Sequence, residues 1–354
     1  MKILAINSSL RKGGQSRTEM MMNHLVEGMR EKGGKADVVH LRKLNIKNCI
    51  GCFTCMTKTP GKCIHKDDMT NELLPKWLNS DLVVYATPLF HHTVNAPMKA
   101  FIERTFPICE PFFERDSDGY WTHPRRHKPP DAVVLSVCGF VDESAFDALS
   151  NYVNFLFKRG YGKLVAEIYR PASHVITKTI FQHKLTDILD ATRQAGREII
   201  ESMSVSPETM ARIKQPVGDS QSLMEIGNLF WKTCISEKVT PQTFERKDMV
   251  PRPDSIHTYM TLMKLGFNYQ AAGDKKAKMQ FEFTGDVEGA CYFIIEKGTI
   301  EATSGTIENP DLSIKSPFNV WMDIVTRKAD GMQMFIEGKY QAAGDISLME
   351  LFGR

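Results

Sequence analysis

"KILAINSSLRKGGQSRT", residues 2–18, runs from a short aliphatic stretch through a serine- and glycine-rich turn into the start of a helical spacing. Apolar positions recur at Met21, Met22, Leu25, Val26 and Met29, one face of an amphipathic helix that Gly33 and Gly34 end. A buried run, a polar turn and a one-faced helix are the opening of a strand–helix–strand unit. The pattern repeats. "ADVVHL", "DLVVYATP", "DAVVLSVCG" and "KLVAEIY" read as strands, with "MTNELLPKWLNS", "APMKAFIERTF" and "SAFDALSNYVNFLFKRG" as the helices between them. This alternation predicts an α/β fold, a doubly wound parallel sheet covered on both faces, with ligands bound beyond the C-terminal strand ends. Pro75 is expected to kink or shorten its helix.

The length of 354 residues has room for two domains, and a net charge of +3 makes no basic field of the kind nucleic acid needs. The apolar run in "MKILAINSS" is too short for a signal peptide, and no stretch approaches the roughly 20 apolar residues of a membrane span. These features predict a cytoplasmic protein whose thiols stay reduced.

The residues just after each strand are where chemistry is expected. After the first, Ser8, Ser9, Ser16 and Thr18, the guanidinium of Arg11 and the N–H groups of a helix start suit a phosphate. The same residues also suit a polar turn with an N-cap, and they form neither a GxGxxG turn nor a GxxxxGK[ST] loop. After the third strand, His91 and His92 are adjacent and so point apart, with no third ligand in view for a metal.

The Ser-x-Arg and Ser-x-Thr of this loop, followed by the Pro-aromatic turn leading to "APMKAFIER", resemble the NAD(P)H-dependent FMN reductases, over roughly residues 1–200. The resemblance implies a flavodoxin-like fold, FMN as cofactor, NAD(P)H as donor, and a homodimer whose partner covers the flavin. It also implies that Ser9, Arg11, Ser16 and Thr18 hold the FMN phosphate. Thr87, Pro88, Leu89 and Phe90 would line the ribityl chain and ring, and Cys138 and Gly139 would approach the ring from the fourth strand. Phe90-His91 replaces the Tyr-Trp or Tyr-Phe common in relatives, which keeps an aromatic contact and loses a tyrosine hydrogen bond. No side chain is required as nucleophile or base, because the flavin carries the redox step.

"CIGCFTCMTKTPGKC", residues 49–63, holds four of the chain's 8 cysteines. Cys49, Cys52, Cys55 and Cys63, followed by "IHKDDM", resemble the motif of the iron–sulfur flavoproteins. Four thiolates there suit a [4Fe–4S] cluster, and they also suit tetrahedral zinc or free thiols beside the flavin. Asp67 and Asp68 read as carboxylates at a helix start. The long insert "FPICEPFFERDSDGYWTHPRRHKPP" has two readings. It is a lid with Trp121 over the flavin and its arginines on a nicotinamide phosphate, or a surface excursion whose aromatics pack on the domain or a dimer partner.

Beyond residue 202 the period changes. Residues 203–256 read as a connector with a helix around "SLMEIGNLFWKT". "AKMQFEF" alternates, with Ala277, Met279, Phe281 and Phe283 on one face, and "CYFIIEKGTIEATSG" is a hairpin about Lys297-Gly298. In "SPFNVWMDIVT", Ser316 is expected as N-cap and Pro317 as first helical residue. The order "FEFTGD", "ENPDLSIKSPFNVW", "EGKYQAAGDISLMELF" resembles the sterol carrier protein type 2 family over residues 257–354. That implies an α+β domain around a cavity for a lipid-like ligand; the same Phe281, Phe293, Trp321, Met334, Phe335 and Leu348 would also fill an ordinary core. "YQAAGD" occurs at 269–274 and again at 340–345, without further similarity around it. The expectation is a reductase of a small or hydrophobic, quinone-like acceptor (residues 1–202) joined to a lipid-binding domain. The alternative is an iron–sulfur flavoprotein exchanging single electrons with a ferredoxin-like partner.

Overall fold

A computed structural model describes residues 1–12, 14–174 and 182–352. The chain divides into two compact units, Met1–Val217 and Gly218–Arg354. The first contains β1 (Lys2–Asn7), α1 (Arg17–Glu31), β2 (Lys35–His40), α2 (Leu74–Leu78), β3 (Leu82–Phe90), β4 (Thr93–Val94), α3 (Ala96–Glu103), β5 (Glu114–Arg115), β6 (Trp121–Thr122), β7 (Asp131–Val137), α4 (Asp147–Lys158), β8 (Leu164–Arg170), α5 (Gln182–Ser202) and α6 (Pro207–Lys214). Its main sheet runs β2-β1-β3-β7-β8 with every one of these neighbours parallel. That order, reversing beside the first strand, is the flavodoxin-like one, and its switch point lies at the C-terminal ends of β1 and β3. The residues Ile3 to Ile6 and Leu82 to Ala86 are buried, as expected of a sheet covered on both sides.

Helices α1 and α5 cross at glycines. A Cβ on Gly28 would collide with the Arg193 carbonyl, and one on Gly196 with the Leu25 carbonyl, so the two backbones touch without side chains between them. Pro75 acts as expected. A π-helical turn over Met69–Leu73 precedes the five-residue α2, with the proline in its first turn.

The second unit contains α7 (Ser220–Ser236), α8 (Pro241–Arg246), α9 (Ile256–Gly266), α10 (Tyr269–Ala272), β9 (Ala277–Thr284), β10 (Gly289–Glu296), β11 (Thr299–Ser304), β12 (Leu312–Pro317), α11 (Phe318–Val325), α12 (Gly331–Ile336) and β13 (Gln341–Gly344). The segment read as a connector is helical and divides at Val217: α6 lies in the first unit, α7 and α8 in the second. The sheet order is β11-β10-β9-β12-β13, antiparallel except for the β9–β12 pair. Ala277, Met279, Phe281 and Phe283 are buried together, and the hairpin turns at Lys297 and Gly298, both with positive φ. One expectation is corrected. β12 continues through Pro317, the Ser316 hydroxyl donates to the Pro317 carbonyl (2.9 Å), and α11 starts at Phe318 without a side-chain cap. Strand pairing to β9 holds the two residues extended, which overrides their capping chemistry.

Candidate functional site: two loops at the sheet's C-terminal edge

β1 and β2 end side by side, with Asn7 opposite His40, and each releases a loop. The loop after β1 folds back on the strand end. The Ser9 N–H donates to Asn7 Oδ1 (2.9 Å), and Ser8 N–H to the Ala86 carbonyl of β3 (2.9 Å). Ser16 is the N-cap of α1, accepting the Glu19 N–H (3.1 Å), and the helix start presents its first N–H groups toward the loop. Ser9, Ser16 and Thr18 are buried while Arg11 is exposed. Glu19, the one carboxylate in the first turn, is paired with Arg42 (3.0 Å), which also donates to the Ser9 carbonyl (3.3 Å).

β3 brings Thr87 and Pro88 beside this loop, opposite Ser136 and Val137 of β7. Asn95, the buried N-cap of α3, joins the two segments: its Nδ2 donates to the Ser8 carbonyl (2.8 Å), and its N–H to Thr87 Oγ1 (3.3 Å). Sequence reasoning missed Asn95 and Arg42, and only the Asn-Ala-Pro start of α3 signalled the first. Leu89 is half-buried and Phe90 exposed. His91 and His92 both have positive φ; His92 stacks on Phe140 and meets the Ala145 carbonyl (3.1 Å). Gly139 is exposed, but Cys138 packs its side chain in the core, and burial pushes its thiol up to about 11. The Cys138 backbone is engaged as well, its N–H donating to the Arg170 carbonyl (3.1 Å) and its carbonyl accepting from the Ser173 N–H (2.9 Å) and hydroxyl (2.8 Å). The Ser9, Ser16 and Thr18 hydroxyls, the start of α1 and the Arg11 guanidinium are donors of the kind a phosphate takes, and Thr87 and Pro88 lie near the end of the strand paired with β1.

The loop after β2 carries the cysteines. Cys49, Cys52, Cys55 and Cys63 are free thiols and line a single cavity, together with Arg104 at the end of α3. Gly51 and Phe53 take positive φ to make the first turns. The seven-residue insert folds back through turns that end in the Gly61 N–H on the Cys55 carbonyl (2.9 Å), which returns Cys63 to the other three. Hydrogen bonds from Thr54 lower the pKa of Cys52; burial, and then the neighbouring thiols, raise that of Cys55.

The loop's base is closed by the two aspartates. Asp68 accepts the Asn45 N–H (2.7 Å) and Asp67 the Lys47 N–H (2.9 Å). Asp67 also accepts the Thr70 N–H (3.1 Å), the capping role expected of it, but its chief partner is the bidentate Arg104 (2.7 and 3.0 Å). Both side chains are fully buried. Burial opposes ionisation of Asp67, and the Arg104 guanidinium with the Lys47 and Thr70 N–H groups overcomes it, holding the carboxyl well below its ordinary range.

Among the described residues, no three His, Cys, Asp or Glu side chains converge where one metal ion would sit. Four thiols lining one cavity are the donor set that a [4Fe–4S] cluster takes, one thiolate to each iron, and four thiolates also suit tetrahedral zinc.

The insert between α3 and β7 forms the small β5–β6 hairpin. Trp121 is exposed with Arg115 over its ring (4.4 Å), and Phe112 and Phe113 are exposed too. Its arginines are engaged locally. Arg125 donates to Cys109 Sγ (3.3 Å) and the His123 carbonyl (2.6 Å), and Arg126 pairs with Glu110 (3.7 Å).

The fold and these loops define a flavodoxin-like unit with a four-thiol cavity. Residues 1–134 match the family described as NADPH-dependent FMN reductase, and residues 270–354 match the SCP-2 sterol transfer family. Among curated proteins, an iron-sulfur flavoprotein of Archaeoglobus fulgidus is 36% identical over 107 residues, covering 30% of this chain and 46% of its own. Another, from Methanocaldococcus jannaschii, is 29% identical over 119 residues, 34% of this chain and 59% of its own. The chain spans about half the length of the curated relatives it matches. Among solved structures, an FMN-dependent NADH-azoreductase from Bacillus anthracis in complex with FMN covers 56% of this chain and 99% of its own, at 14% identity and TM-score 0.44. An NAD(P)H:quinone oxidoreductase from Methanothermobacter marburgensis covers 56% and 96%, at 16% identity and TM-score 0.41. Among the described residues no helix is long and apolar enough to cross a membrane.

Proposed function

We propose that the first unit is an FMN-dependent NAD(P)H oxidoreductase whose cysteine loop carries a [4Fe–4S] cluster. The observation that carries this reading is the gathering of four thiols around one cavity, on the loop that follows the strand paired with β1. The match of residues 1–134 to FMN reductases supports the flavin half, and the names of the curated relatives support the cluster. In this reading Ser9, Arg11, Ser16 and Thr18 hold the FMN phosphate, Thr87, Pro88, Leu89 and Phe90 flank the ribityl chain and ring, and Cys138 and Gly139 approach the ring from the end of β7. Cys49, Cys52, Cys55 and Cys63 ligate iron. Flavin supplies hydride acceptance and the cluster single-electron transfer; the chain binds, orients and insulates.

The acceptor in this proposal is a ferredoxin-like carrier or a hydrophobic, quinone-like molecule. Lys47, Lys58, Lys62 and Lys66 are exposed on the cysteine loop, whose Asp67 and Asp68 are both engaged in closing its base, and this favours an acidic protein partner docking there. The second unit is proposed to take up a lipid-like ligand. Its core aromatics Phe281, Phe293 and Trp321 are buried, whereas Met332, Phe335 and Ile336 of α12 stand exposed, an apolar face suited to ligand entry. The homodimer implied by the flavodoxin-like resemblance belongs to the same proposal. The test is an anaerobic absorption spectrum with iron, sulfide and flavin assayed on one sample. Four irons and four sulfides per flavin support the reading; a flavin spectrum without iron removes the cluster, and a colourless protein removes both cofactors.

A further inference from the structure

Arg104 has more to do than close a loop. An arginine has five N–H donors. Four are accounted for: Nη1 donates to the Lys47 carbonyl (2.5 Å) and Asp67 Oδ2 (2.7 Å), and Nη2 donates to Asp67 Oδ1 (3.0 Å) and Thr70 Oγ1 (2.9 Å). The fifth, at Nε, is buried with no partner. Arg104 and Cys63 both line the four-thiol cavity. A second side chain lining the same cavity, His65, also has a buried ring nitrogen, Nε2, without a partner. Buried polar nitrogens are normally satisfied, so two orphans around one cavity call for an occupant rich in acceptors. Thiolate and sulfide sulfurs are such acceptors, and the fixed guanidinium adds a positive charge that Asp67, absent from the cavity lining, balances from behind.

We propose that Arg104 and His65 are the hydrogen-bond donors to the sulfurs of the cluster held by Cys49, Cys52, Cys55 and Cys63, and that Arg104 raises its reduction potential. The inference rests on the cluster reading above. Reduction adds one electron to the cluster without bond changes, the electron coming from the flavin, and a neighbouring cation with hydrogen bonds to sulfur favours the reduced form. Neither residue ligates iron; both tune it.

The experiment is a redox titration of the full chain, reconstituted without oxygen, with iron, sulfide and FMN counted on each sample. Arg104→Gln is expected to keep its flavin and to shift the cluster potential to more negative values by roughly tenfold in the reduction constant, about 59 mV for a one-electron couple. His65→Leu shifts it the same way by less. Because Arg104→Gln leaves Asp67 buried alone, the double variant Asp67→Asn with Arg104→Gln removes both charges at once and keeps the test available if the single variant does not fold. Its potential is expected to move in the same negative direction. Cluster-loaded variants with potentials equal to that of the parent overturn the inference and leave the cluster reading intact. A parent protein without iron and sulfide overturns both.

Discussion

The loops after β1 and β2 leave neighbouring strand ends and are held by different means. The first is held by single hydrogen bonds, some local, as where Ser9 turns on Asn7 and Ser16 caps an N–H three residues on, and some distant, from Asn95 to the Ser8 carbonyl and Arg42 to the Ser9 carbonyl. The second is held from without, by an ion pair between Asp67 and Arg104, 37 positions apart. A loop held by several separate hydrogen bonds loses only one of them to any single change. A loop closed by a buried charge depends on both partners together, since either alone is a desolvated ion.

The largest effect is therefore expected at the second loop. Arg104→Ala leaves Asp67 buried and uncompensated, and urea unfolding should show a loss of about 3–5 kcal/mol. A loss below about 1 kcal/mol, the range of surface pairs, would mean that water reaches the carboxylate and that the two loops are not so different. The same pair sets a pH signature. Because the folded Asp67 carboxyl lies below its ordinary value, its stabilisation is whole above about pH 5 and is lost as pH falls below about 3.9 toward the lower folded-state value. The stability gap between the parent and Asp67→Asn should stay flat between about pH 5 and 7 and shrink below about pH 4. A gap that widens in acid would reverse the assignment.

The first loop sharpens the contrast through smaller, separable effects. Arg11 is exposed, so Arg11→Ala should leave the unfolding midpoint unchanged while weakening FMN by about 1.5–3 kcal/mol, tenfold or more in Kd by flavin fluorescence. Ser16→Ala should remove the cap, costing about 1 kcal/mol of stability, and weaken FMN as well. If Ser16→Ala changes stability alone, Ser16 caps the helix and does not touch the phosphate.

The parts whose residues carry a local pattern were the parts legible in the sequence. Aliphatic runs marked the five parallel strands of the main sheet, though not the two-residue β4 beside β3, and the spacing from Met21 to Met29 marked α1. Four cysteines at close spacing announced a thiol site. What sequence order does not carry is which distant side chain completes a site. Asp67 read as a helix cap because its immediate neighbours allow that role, and Arg104 read as one more residue of a family motif. The hexapeptide "YQAAGD" makes the same point. At 269–274 it begins as α10, capped by Asn268, with Tyr269 exposed; at 340–345 it pairs as β13 against β12, with Tyr340 buried. Identical residues adopt helix or strand according to what lies beside them, so local propensity is only a weak prior. Ser316 and Pro317 likewise had a helix-start signature and were claimed by a strand.

The crossing of α1 and α5 at Gly28 and Gly196 bears on how the first unit comes into being. The helix whose start shapes the loop after β1 is seated by backbone contacts with residues 193–196, and in sequence these are among the unit's last elements. During synthesis α1 emerges early and waits without its partner until residue 202 is free of the ribosome, since domains settle as whole units. Acquisition of the loop's final shape is thus a late event, and the stretch of residues 1–134 that matches FMN reductases stops within β7, before both β8 and the α5 that seats α1.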